Sequence, residues 1–200
     1  GYINGVMYSE LAGRQGVNSE VVSTLYGEYS VYFLTIINIP LTLAGAAPTS
    51  MIPEVSALYA QHRRKAARRK IDEATQLSMF ISIPAAVGLA VLAYPITRLL
   101  FPNTNGTAGT LLLIGAVTII FNTNSNVSNG VLQGIGKANL PMWNAAIALV
   151  INVGVLVALL QLTSLGIYAV LVATIVYSIV ICILNDISMK KYIHYKIPWG

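Results

Sequence analysis

The sequence predicts an all-α, polytopic transmembrane helical bundle of about five full spans plus a partial one, and three observations predict it. Only 10% of the 200 residues are charged while 56% are apolar, against about 25% charged in soluble domains, and the mean hydropathy is +0.69. No charge interrupts Leu99 to Gly136 or Ala138 to Asn185, runs of 38 and 48 residues; each can hold one or two crossings at roughly 20 residues per span. A dense basic run, Gln61 to Lys70, holds six of the twelve lysines and arginines between two further uncharged stretches, Tyr29 to Pro53 and Ala74 to Thr97. The short alternating segments of a membrane β-barrel do not occur in this pattern.

Residues 1–23 read as the end of a truncated helix followed by an outer loop from Gly13 to Ser23, and residues 24–200 as the transmembrane domain. Spans are expected near 28–52, 72–92, 110–127, 142–160 and 166–186, with the basic inner loop at 61–70. In the first span Glu28, Tyr32, Thr35 and Thr42, with Asn38 near the edge, share one face at helical steps, while Ile36, Ile37, Leu41 and Leu43 fall mostly elsewhere. A polar stripe on a membrane helix belongs against protein or water, because unpaired polar groups in hydrocarbon are costly. Pro40 sits within this span, with Pro48 and Pro53 after it, and a bend is expected there. A hinge and a static kink remain equally open.

The second span carries Pro84 and leads to an outer segment, Tyr94 to Pro102, and a turn-rich loop, Asn103 to Gly109. The third ends in an asparagine cluster in which Asn122, Asn126 and Asn129 share a helical face and Asn124 points away. These amides suit interhelical hydrogen bonds or a water-filled cavity. A glycine-broken connection, Val131 to Pro141, precedes the final hairpin of two spans.

Counting crossings from the basic loop places ten of the twelve basic residues on one side, and Arg14 and Arg98 on the other. By the positive-inside rule the 61–70 loop and the C-terminus face the cytoplasm of a multi-pass plasma-membrane protein. The net charge of +5 follows from this topology, so no nucleic-acid partner is expected. The run's first role is that of an orientation signal, with Arg63, Arg64, Lys65, Arg68, Arg69 and Lys70 also candidates for contact with anionic lipid headgroups.

Enzymatic chemistry finds little support. His62 and His194 have no companion ligands, Cys182 is the only cysteine, and Asp72, Glu73 and Asp186 are isolated beside basic residues. Gly134 to Lys137 lacks phosphate-loop spacing. No catalytic residue, metal site or cofactor is therefore expected. The chain begins at Gly1 without a methionine and reads as an internal piece of a longer protein.

The ordered set Leu25-Tyr26-Gly27, Ile37-Asn-Ile-Pro40, Met51-Ile-Pro-Glu-Val-Ser56, Pro95 to Phe101 and Val131 to Lys137 resembles polysaccharide biosynthesis proteins of the stage V sporulation protein B type. These are similar to lipid II flippases of the multidrug/oligosaccharidyl-lipid/polysaccharide exporter superfamily. The resemblance implies the C-terminal part of a two-lobed flippase that carries a lipid-linked saccharide precursor of cell wall or exopolysaccharide across the membrane by alternating access. The implied partners are membrane lipids, that substrate and a missing N-terminal lobe. Glu28, Tyr32, Thr35, Asn38, Thr42, Asn122 and Asn126 would line its cavity, and Pro40 would bend the cavity helix. The lipid II flippases carry an arginine shortly before the proline matching Pro40, where this chain has Thr35, Ile36 and Ile37. Two alternatives stand beside this reading: a cation-coupled multidrug exporter of the same superfamily, with Glu28 as coupling acid, and the membrane part of a polyprenyl-phosphate glycosyltransferase. A purely structural membrane scaffold would tolerate polar-to-apolar changes along the stripe.

Overall fold

A computed structural model describes residues 2–14, 18–100, 106–163 and 165–193, with side chains except at 2, 3, 11, 12, 14, 47 and 48. Helices α1 (Tyr2–Arg14) and α2 (Ser19–Gly27) come first, and α2 continues through a π-helical segment, Glu28–Phe33, into α3 (Leu34–Ala60). Then follow α4 (Arg64–Val91), α5 (Ala93–Leu100), α6 (Thr107–Gly115), α7 (Val117–Gly134), α8 (Asn139–Leu162) and α9 (Ile167–Ile193). Strands are absent among the described residues. In hydrocarbon every backbone polar group must be satisfied within its own segment, and uncharged runs of this length meet that demand as helices.

Four helices are long and apolar enough to cross a membrane: Ser19–Ala60, Arg64–Val91, Asn139–Leu162 and Ile167–Ile193. The pair α6 and α7, bent by 47° at its break, is together long and apolar enough to add a fifth. The chain is thus an all-α bundle of four or five spans. Helical structure begins earlier than the 13–23 loop expectation allows, because Asn18 Oδ1 accepts from Glu20 N at 3.0 Å and caps α2. The first part of the expected 103–109 loop, together with Lys196 and His194, lies outside the described residues.

The helix ends near the basic run gather at one end of the bundle. Arg68 Nε donates to the carbonyl of Ile193 at 3.0 Å, supplying an acceptor-rich helix terminus with a cationic donor. Lys137 Nζ lies 5.4 Å from the centre of the Tyr192 ring. Lys70 pairs with Glu54 at 3.5 Å and Glu73 at 3.1 Å, and Arg69 with Glu73 at 3.3 Å, joining α3 to α4. The sharp turns here use left-handed backbone at Gly136, φ 77°, and at His62, φ 57°. Arg68 and Lys70 therefore engage other helices and Arg69 its own, while Arg63, Arg64 and Lys65 stay exposed, Arg64 over the Tyr59 ring at 5.6 Å.

Buried apolar side chains form two clusters. One, at the end opposite the basic run, includes Tyr8, Tyr29, Phe33, Leu111, Leu112, Ile119, Leu156, Leu160 and Leu171. The other, at the basic end, includes Val55, Ile71, Val127, Leu132, Met189 and Ile193. Much of the bundle's polar hydrogen bonding lies along α7, α8 and α9 between them. Outward faces of α4 and α8 remain apolar and exposed, as at Phe80, Val87, Trp143 and Val150, which suits contact with lipid.

Candidate functional site

The apolar stretch that forms α3 carries its polar residues at helical spacing, and packing leaves them outside. Thr35, Asn38, Thr42, Ala46, Thr49 and Pro53 are all exposed, while Ile36, Ile37, Pro40, Ala44 and Val55 are buried. The threonines satisfy themselves: Thr42 Oγ1 donates to the carbonyl of Ile39 at 2.8 Å and Thr49 Oγ1 to that of Gly45 at 2.6 Å. Asn38 has no such bond to another described residue. An exposed amide midway along an apolar helix is costly against lipid tails, so its natural surroundings are water or protein.

Helix α7 borders the same face. The glycines at 130 and 134 let α3 approach closely: a Cβ at Gly130 would meet Ile52 Cδ1 at 2.2 Å, and one at Gly134 would meet Ser56 Oγ at 2.5 Å. In that register Asn126, one turn before Gly130, stands level with the 48–49 turn of α3, and it too is exposed without a hydrogen bond to a described residue. Thr35, Asn38, Thr42 and Thr49 are neutral, exposed hydrogen-bonding residues of α3, and Asn126 is one on the neighbouring α7.

The other candidates for lining a cavity are less exposed. Glu28 opens the π-helical segment and is only 6% exposed, and Tyr32 is half-buried. Both belong to the π-helical segment, whose wider turn departs from the 3.6-residue period that sequence spacing assumes, and both are less exposed than Thr35, Asn38 and Thr42. Pro40 is buried in an unbroken α3; the irregular stretch is the segment 28–33 before it.

Asn122 faces inward. Its Nδ2 donates to Ser178 Oγ at 3.1 Å, and it lines a cavity of about 580 Å³ between α1, the start of α3, α7, α8 and α9. Tyr29, Asn152, Thr174 and Tyr177 also line it. Tyr29 and Thr174 hydroxyls lie 2.6 Å apart. Asn152, 2% exposed, donates to the carbonyl of Ala173 at 2.8 Å, while its Oδ1 has no hydrogen-bond partner among the described residues.

A second polar constellation was illegible in the sequence. Asn185 Nδ2 donates to Ser125 Oγ at 2.8 Å and Asn129 Oδ1 at 2.7 Å. Asn144 Nδ2 donates to Asn185 Oδ1 at 2.8 Å and Ser188 Oγ at 2.9 Å. Asn124 Nδ2 donates to the two Asp186 oxygens at 3.2 and 3.1 Å and Ser128 Oγ to Oδ1 at 3.1 Å. Asn124 thus turns toward α9, and Asp186, far from standing isolated, is held by α7. These bonds join three helices; none of their members reaches the exposed face through a contact seen here. Their only signal was the concentration of Asn and Ser on α7, without any indication of partners.

No group of three or more His, Cys, Asp or Glu able to hold a metal occurs among the described residues. Fold and face define a polytopic α-helical membrane protein with a neutral polar surface along one span, and the chain belongs to the MatE family, whose profile matches residues 16–158. Among individual proteins it is similar to the lipid II flippase MurJ of Bacillus subtilis, 27% identical over 157 residues, covering 76% of this chain and 28% of that protein. It is also similar to stage V sporulation protein B of the same organism, 20% identical over 190 residues, covering 95% of this chain and 36% of that protein. A probable lipid II flippase MurJ of Rhizobium meliloti is 29% identical over 109 residues, covering 52% of this chain and 20% of that protein. The chain spans roughly a third or less of the length of these relatives. No solved structure matches it.

Proposed function

We propose that this chain forms part of a membrane flippase that moves a lipid-linked saccharide precursor by alternating access. The observation that carries the reading is the pair of exposed amides, Asn38 and Asn126, on a neutral stripe along apolar helices. A hydroxyl-rich headgroup offers the donors and acceptors such a face lacks, and the names of the related flippases agree with that substrate class. The stripe faces a second lobe supplied by the rest of the protein, and the cavity lies between the two. The run 61–70 and the C-terminus face the cytoplasm of the plasma membrane, with Arg63, Arg64 and Lys65 close to anionic headgroups.

The test uses the full-length protein reconstituted with a fluorescent lipid-linked saccharide. Replacing Asn38 and Asn126 by leucine and Thr42 by valine is expected to lower flipping about tenfold or more, equivalent to about 1.4 kcal/mol or more of lost stabilisation in the barrier. Flipping at the unaltered rate sinks the assignment. Within the MatE family the second reading is cation-coupled export. Glu28, its acid in this chain, is buried off the stripe; dye efflux that follows the proton gradient and is lost in Glu28→Gln would favour that reading instead.

A further inference from the structure

We infer that Phe33 and Gly115 form the pivot about which this lobe bends. The inference rests on the alternating-access reading above and locates where the lobe changes shape. Two departures from regular helix meet at one contact. Phe33 is the last residue of the π-helical segment, and Gly115 is the last residue of α6, where the α6 and α7 pair bends by 47°. A Cβ at Gly115 would lie 2.1 Å from Phe33 Cε2 and 2.3 Å from Cζ. Only glycine lets the ring sit against the backbone at the break. π-Turns inside α-helices recur at functional positions, and sharp bends collect at glycines and π-turns.

The surroundings distinguish a pivot from ordinary close packing. Beyond the break, toward the basic end, α3 and α7 are held in register by Ile52 and Ser56 against Gly130 and Gly134. On the other side α6 is tied to α5 through the Tyr94 and Thr110 hydroxyls, 2.9 Å apart. The π-helical segment is tied to the uninterrupted α9 through Tyr29 and Thr174. Tyr29 also stacks on Phe33, with ring centres 5.3 Å apart. The π-interrupted helix Ser19–Ala60 and the bent α6 and α7 pair thus each have a fastened arm on either side of the same ring-in-notch contact, and α8 and α9 run past it without a break. A rotation at Phe33 and Gly115 changes the angle between these arms and keeps the contacts of α3 with α7 and of α5 with α6, while α9, bonded to Tyr29 on one side and to Asn122, Asn124 and Ser128 of α7 on the other, must follow one arm and release the other. Such a rotation re-aims the exposed face of α3 below it.

The test measures switching directly, so that it stands apart from what is transported. In full-length protein with Cys182→Ser and Ala46→Cys, a membrane-impermeant thiol reagent applied from either side reports how fast the exposed face changes sides. Gly115→Ala fills the notch and is expected to slow switching about tenfold, the scale of modest overpacking. Phe33→Leu loosens it and is expected to speed switching, and the double variant to return toward the parent rate. A simple packing role slows both single variants in step with a lower melting temperature, and that result, like an unchanged rate in Gly115→Ala, overturns the pivot. If Gly115→Ala does not accumulate, Phe33→Leu decides: a rate that does not rise overturns it. Absence of saccharide flipping by the parent, with switching intact, would count against the transport reading and leave the pivot standing.

Discussion

Asn185 is the side chain on which three helices depend at once. It is fully buried, donates to Ser125 and Asn129 of α7, and accepts from Asn144 of α8. Polar bonds between membrane helices contribute modestly, on average about 0.6 kcal/mol and up to about 1.7 each, but removing one partner of a buried set leaves the others unmet. Asn185→Leu is expected to destabilise the protein by about 1–3 kcal/mol, seen as a lower melting temperature in detergent. If the polar face on α3 is separate from this network, the same variant leaves flipping per folded molecule near the parent value. Asp186→Asn keeps the acceptor toward Ser128 and is expected to cost less than Asp186→Leu in the same measurement. Residue spacing announced Asn122 and Asn126 but said nothing of Asn185 or Asp186, because an amide's partner across a bundle is chosen by how helices pack.

At the scale of elements, α3 and α7 approach closely because glycine stands where they touch. Gly134→Val is expected to cost about 1–3 kcal/mol through overpacking against Ile52 and Ser56, read as lowered thermal stability together with weaker crosslinking between α3 and α7. Gly88, around which no atom lies within 4 Å of an added Cβ, serves as the control, since Gly88→Ala should be neutral or stabilising through helix propensity. Pro40 gives a second prediction at this scale. With the irregular backbone placed at 28–33, Pro40→Ala is expected to leave both stability and the rate of side switching within about twofold of the parent, a barrier change under about 0.5 kcal/mol. A proline invites a reading as hinge because its missing donor is visible in sequence. A π-turn has no comparable signature, so the segment through Phe33 was legible only as part of a continuous helical stripe.

For the whole molecule, charge asymmetry is the ground of the proposed orientation, while tertiary contacts divide the basic run. Lys65→Cys is expected to react with an impermeant thiol reagent only from the cytoplasmic side in intact cells; reaction from outside would reverse the topology proposed here. Arg68→Met is expected to loosen the end of α9 through loss of its bond to Ile193, visible as faster amide hydrogen exchange there, whereas Arg63→Met should leave that exchange unchanged. The all-helical polytopic class was legible from uncharged length, and helical period grouped Thr35, Asn38 and Thr42, which the structure leaves exposed. The burial of Glu28 and the half-burial of Tyr32 were not, since they sit in a π-helical segment that a constant period does not anticipate.

The sequence by itself determined that this chain crosses a membrane several times as helices, because its long uncharged runs lack the alternation of barrel strands and satisfy their backbone in hydrocarbon within each segment. It also determined that half of the lysines and arginines stand in one short run, since their positions need no fold to be counted. Tertiary structure alone decided which polar groups are buried and which stay exposed: Asn124 and Asp186 turn to each other, while Asn38 and Asn126 remain open. It also decided where regular helix gives way, at a phenylalanine set into a glycine from another span. Both depend on contacts between residues far apart in the chain, and periodicity along one helix carries no information about the helix beside it.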